Sequence, residues 1–299
     1  MPFWIETAGL MRHCMSGYGC ARCRVACALG AVGLILSGCA SETVDERLQV
    51  VVTIAPLAGL VDRVAPDISA VTVMIPPGGN PMFYEPSLSG VRAASSADLF
   101  VSVGHPAFAW ESTWLADLLR RGDVPVVSSA ESCDILPDDP HVWLSLPCAR
   151  SIALRIASAV QQARPEAAES VGASLRELLA EMDDLRLYAD RSLEPHRGGS
   201  FIVLHPAWGY LARDYDLQQI SILEHGSGDA GPGELATIVR HGRERGLVDV
   251  MVQPQFSAQP ARLVADELGG NTVMLDPLAR DWATTFRETI RVLSVQVRP

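Results

Sequence analysis

Short runs of apolar, largely β-branched residues recur along the 299-residue chain and alternate with stretches whose apolar positions return every three or four residues. The runs at 49–54, 70–75, 98–103 and 124–127 are too short for helices and too continuously apolar for half-exposed strands. They read as strands buried on both faces, the pattern of a parallel sheet whose crossovers are helices. The series restarts at 201–204, 220–223, 248–252 and 272–275, with helical periodicity near 232–245, 258–268 and 280–296. The pattern therefore predicts an α/β protein with two lobes, one at 39–164 and one at 195–299. Between them, Pro165 to Leu193 reads as one helix: Pro165 suits a first turn, and Val171, Leu175, Leu178, Met182, Leu185 and Ala189 share one face. At 1.5 Å per residue it would span on the order of 40 Å and act as a stiff connector that limits hinging.

The first 38 residues read differently. Arg22 and Arg24 precede an apolar run from Val25 to Leu36, which ends in Leu36-Ser37-Gly38-Cys39. A dozen apolar residues fall well short of the roughly twenty needed to span a bilayer, so the segment reads as a secretory signal. Its end resembles a bacterial lipobox, which implies cleavage before Cys39, lipidation of that thiol and an extracytoplasmic, membrane-anchored protein. Without residues 1–38 the chain carries 21 basic and 34 acidic side chains. That balance argues against nucleic acid as a partner and serves solubility first. The chain has no lysine, which excludes a Walker A phosphate loop and a pyridoxal Schiff base. Neither G-x-S-x-G nor H-E-x-x-H occurs, removing the simplest serine-hydrolase and zinc-protease readings. Five of the seven cysteines fall at or before Cys39, leaving Cys133 and Cys148 as the pair that an oxidising compartment could join.

Side chains able to hold a metal cluster in four segments at or after the ends of expected strands, where α/β folds place their sites. These are Asn80-Pro81-Met82-Phe83-Tyr84-Glu85-Pro86, Asp139-Pro140-His141-Val142-Trp143, Leu204-His205-Pro206-Ala207-Trp208-Gly209-Tyr210 and Leu275-Asp276-Pro277-Leu278. In order and context they resemble the metal-site motifs of the zinc- and manganese-type substrate-binding proteins of ABC transporters, over nearly all of residues 48–296. The resemblance implies two Rossmann-like parallel-sheet lobes joined by one long backbone helix at 165–194, with the metal in the cleft between them. It implies that His141, His205 and Asp276 ligate the ion, Met82 standing at the position where relatives have a further ligand histidine. It also implies that the cargo passes to a membrane permease served by a separate ATPase subunit, with no reaction catalysed.

Two imidazoles and a carboxylate form a nitrogen-rich set suited to Zn2+. The resemblance also allows Mn2+; the thioether of Met82, a soft and weak donor for zinc, could instead tune the site toward another transition metal such as Cu(I) or mark a site that has lost metal binding. Tyr84, Glu85 and His105 are candidate supporting or substitute groups. Trp143, Trp208 and Tyr210 are expected to fix the ligand loops by packing, and Gln253 stands where relatives often have glutamate. His196 and His241 read as surface residues, and His225 as a loop residue with a lesser claim on the site. A metallohydrolase with Glu85 as base, and a carrier of a larger metal chelate, are the competing functions.

Overall fold

The computed structural model describes residues 46–108, 110–114, 124–224 and 230–298, apart from the side chains of Met82 and Ser132. The signal segment, Cys39 and His225 lie outside the described residues. Arg47–Pro299 forms one compact unit, to which everything below refers.

The first sheet contains β1 (Leu48–Val52), β2 (Ser69–Val73), β3 (Leu99–Ser102) and β4 (Val126–Ser128), all parallel, in the order β2-β1-β3-β4. Helix α1 (Ala55–Val64) joins β1 to β2, and α2 (Leu88–Ser95) joins β2 to β3. The second sheet repeats the plan with β5 (Ser200–Val203), β6 (Gln218–Ser221), β7 (Val250–Val252) and β8 (Thr272–Met274), ordered β6-β5-β7-β8 and again parallel. Its crossovers are α5 (Gly209–Asp214), α6 (Pro232–Arg245) and α7 (Gln259–Leu268), and α8 (Trp282–Gln296) closes the chain. All eight strands fall within two residues of the apolar runs. No helix among the described residues is long and apolar enough to cross a membrane.

Between the sheets lie α3 (Leu146–Ala163) and α4 (Ala168–Leu193). Pro165–Ala167 forms a separate 3-10 turn, so the expected single helix from Pro165 begins at Ala168. Of the expected stripe on α4, Val171, Leu178, Met182, Leu185 and Ala189 are buried and Leu175 is half-buried; Leu193 continues it. That stripe packs against α1, α3 and α8, so α4 belongs to the core as well as linking the two sheets.

Strand periodicity explains how the core is divided. In β1, Val50 and Val52 face the main core while Val51 joins a small cluster with Met74, Ala94 and Phe100 on the other face. In β5, Phe201 and Val203 join that same main core, whereas Ile202 packs with Ile222, Val250 and Val264 on the outer face. One apolar core therefore runs continuously from the inner face of one sheet to that of the other. A disulfide joins Cys133 to Cys148, 5.4 Å apart at Cα, and closes the loop that carries Asp139 and His141.

Candidate metal centre

The loops at the carboxyl ends of both sheets meet around a cavity of about 370 Å³, lined by residues including His141, His205, Phe108, Trp110, Trp143 and Phe256. His141 precedes the 3-10 turn Val142–Leu144. Asp139 Oδ1 accepts from both the His141 backbone N–H, at 2.9 Å, and the ring Nδ1, at 2.7 Å. A carboxylate acceptor on Nδ1 fixes the tautomer and the ring plane, so His141 would bind a metal through Nε2. The two residues are 6% and 8% exposed, which keeps water from competing for that bond. Gly209 makes room for it: a Cβ there would lie 2.3 Å from Asp139 Oδ2.

His205 follows β5 and is clamped by Gln253, at the end of β7. The Gln253 amide donates to the His205 carbonyl at 2.8 Å and accepts from its N–H at 3.4 Å. Gln253 is fully buried, and its neutral amide can serve both backbone groups at once. The Phe256 ring stacks on the His205 imidazole at 4.6 Å.

The two imidazoles stand edge to face with centroids 5.3 Å apart and planes at 72°. Zn–N bonds of about 2.1 Å at a tetrahedral angle would put two ligating imidazole centroids about 5.2 Å apart. The observed spacing matches that value.

The remaining residues named from the sequence do not join this pair. Asp276 Oδ1 accepts from Gln255 Nε2 at 2.8 Å and from the Leu278 N–H at 3.0 Å. It lines a neighbouring cavity with Ile54, Pro76 and Arg280, while Gln255 and Leu278 line both cavities. Among the described residues no group of three or more His, Cys, Asp or Glu is assembled for a metal.

Met82 lies in the 3-10 turn Pro81–Phe83, and its side chain is outside the description. His105 is unsuited as a substitute ligand: its Nε2 bonds the Leu136 carbonyl at 2.9 Å and its Nδ1 accepts from the Ala107 N–H at 3.1 Å. Burial lowers its pKa, partly offset by the Leu136 bond, and favours the neutral ring. Glu85 is exposed. Tyr84 meets Trp110 edge-on at 5.0 Å, and neither Tyr84 nor Glu85 lines the cavity.

The aromatic residues beside the ligands are anchors. Trp143 Nε1 donates to the Pro277 carbonyl at 2.8 Å, and Trp282 Nε1 donates to the Trp143 carbonyl at 2.6 Å. The Leu136 N–H donates to Tyr210 Oη at 2.9 Å, fixing the approach to Asp139. Sequence reasoning did not assign the roles of Asp139, Gln255 and Phe256. The D-P-H spacing was a signal for Asp139, while Gln255 and Phe256 are ordinary loop residues with no local signature.

A family model described as zinc-uptake complex component A, periplasmic (ZnuA), matches residues 50–294. The chain belongs to this family. Its members form a metal-binding component of a transport system, and are not enzymes. The chain is 27% identical over 268 residues to the zinc-binding lipoprotein AdcA of Streptococcus pneumoniae, covering 82% of this chain and 53% of that one. It is 25% identical over 263 residues to the high-affinity zinc uptake system protein ZnuA of Bacillus subtilis, covering 80% of this chain and 81% of that one. It spans about half the length of the AdcA relatives. A crystal structure of ZnuA superposes with a TM-score of 0.77 at 29% identity, covering 84% of this chain and 99% of that one. A zinc-bound ZnuA deletion mutant gives 0.76 at 28%, covering 85% and 99%. The periplasmic zinc-binding protein TroA of Treponema pallidum gives 0.74 at 17% identity, a likeness of fold alone, covering 83% and 98%.

Proposed function

We propose that this chain is the extracytoplasmic binding protein of a metal ABC transporter, that its cargo is Zn2+, and that His141 and His205 are the core of the site. The observation carrying this reading is the 5.3 Å spacing of the two buried imidazoles, with the His141 tautomer set by Asp139. Two neutral nitrogen donors favour zinc over manganese. Asp276 and Met82 are the further donors proposed from the sequence; the Gln255 and Leu278 bonds engage Asp276 Oδ1, which leaves Oδ2 as the oxygen to offer an ion. Lipidation at Cys39 would hold the protein at the membrane, where a permease with a separate ATPase subunit takes the cargo. The hydrolase reading has no support from the site, because its candidate base, Glu85, is exposed and off the cavity.

The test is metal analysis of protein stripped with chelator and reloaded with zinc chloride. The expected result is stoichiometric zinc and a raised melting temperature in the wild type, since a ligand bound only by the folded state stabilises it. His141→Ala and His205→Ala should each lose both effects. Unchanged zinc content in both variants would overturn the assignment.

A further inference from the structure

His105 is 1% exposed and lies in the loop that follows β3. Glu111, equally buried, ties that loop to the sheet. Its carboxylate accepts from the N–H groups of Val103, at 2.9 Å, and Gly104, at 2.6 Å, and from the Thr53 hydroxyl after β1. His105 therefore projects from a fixed support. The Ala107 N–H lies 3.1 Å from its Nδ1. A backbone N–H can only donate, so Nδ1 is the acceptor and the ring proton sits on Nε2. Nε2 then donates to the Leu136 carbonyl, 2.9 Å away.

Leu136 is a junction in the loop that leads to His141. Its carbonyl has two lone pairs, and the second accepts from the Asp139 N–H at 3.1 Å. Its own N–H donates to Tyr210 Oη. Asp139 Oδ1 in turn accepts from both the N–H and the Nδ1 of His141. Residues 134–141 belong to no helix or strand, so bonds from outside the loop set its path. Tyr210 supplies one from the second lobe, and His105 supplies one from the first. A series of hydrogen bonds thus runs from His105 through Leu136 and Asp139 to the His141 ring, with no link longer than 3.1 Å.

We infer that His105 is a positioning residue for zinc binding: its Nε2–H fixes the Leu136 carbonyl, and through Leu136 and Asp139 it fixes the plane of the His141 imidazole. This rests on the proposed role of His141 as a ligand. His105 offers no nitrogen to the ion, because protein groups engage both. Removing the Nε2 donor leaves the Leu136 carbonyl with the Asp139 N–H alone on its loop side and lets the turn shift. A small displacement of Asp139 then loosens the 2.7 Å bond that orients His141, and a ligand ring that can rotate binds its metal less tightly.

Two near-isosteric variants separate the two bonds of the ring. The amide nitrogen of His105→Gln stands where Nε2 does and keeps the donor to Leu136, whereas the amide oxygen of His105→Asn stands where Nδ1 does and keeps only the acceptor for Ala107. Metal-free proteins are titrated with zinc chloride against a chromogenic chelator, and His105→Asn is also combined with Asp139→Ala. The expected result is zinc binding about tenfold weaker in His105→Asn and within about threefold of the wild type in His105→Gln. Adding His105→Asn to Asp139→Ala should cause no further loss, because the series is already cut. Wild-type affinity in His105→Asn, equal weakening in both variants, or an undiminished loss in the Asp139→Ala background overturns the inference and leaves the zinc-carrier reading standing. A wild type that takes no zinc, or a His141→Ala variant that binds it as tightly as the wild type, overturns both.

Discussion

At the scale of single residues, the two site histidines are held by neighbours that orient them. Asp139 accepts from Nδ1 of His141 and so sets its tautomer, and Gln253 holds the His205 backbone from a neighbouring strand. Both histidines were legible in the sequence because each stands in a recognisable motif. Gln255 was not, since its hold on Asp276 joins two loops whose proximity no local pattern reveals. His105 carries a pH prediction. Its folded-state pKa is lowered by burial, so between that value and the unfolded value of about 6.5 the unfolded chain binds more protons than the native one. Its contribution to stability is therefore present above that window and lost as pH falls through it. Thermal melts from pH 7.5 downward should show a shallower acid loss in His105→Gln than in the wild type. Parallel curves would show that His105 does not titrate as described.

At the scale of elements, short apolar runs located all eight strands, because a strand buried on both faces leaves a signal that needs no knowledge of its neighbours. The α4 stripe was equally plain, and its burial makes a direct prediction. Leu185 is wholly buried in the main core, so Leu185→Ala should lower unfolding free energy by about 2–5 kcal/mol in chemical denaturation. A loss under about 1 kcal/mol would mean that the α4 face is loosely packed. The start of that helix was less legible: Pro165 is compatible with a first helical turn of either kind, and the sequence carries no mark separating a 3-10 turn from an α-helix there.

At the scale of the whole molecule, the two sheets share one core and are stitched together through Trp143, Pro277, Trp282 and the Asp62–Arg280 pair. Gly59 is a sensitive point in this arrangement, since a Cβ there would lie only 1.8 Å from the Arg280 carbonyl. Gly59→Ala should force α1 away from Arg280, lower stability by roughly 1–3 kcal/mol and weaken zinc binding by displacing the Pro277–Leu278 wall. Gly172→Ala is the control. A Cβ there comes no closer than 3.6 Å to any neighbour, and in α4 alanine is favoured over glycine by about 1 kcal/mol. Equal melting temperatures for the two variants would contradict the tight seam. The sequence by itself determined the α/β class, the repeated sheet plan and the central helix, because periodicity is a local property of the chain. Only the tertiary structure decided that the His141 and His205 rings stand edge to face and that Asp276 accepts from Gln255. It also decided that the cavity between them is broad and aromatic. Both depend on distances between loops far apart in sequence, and those distances are fixed by the packing of the shared core.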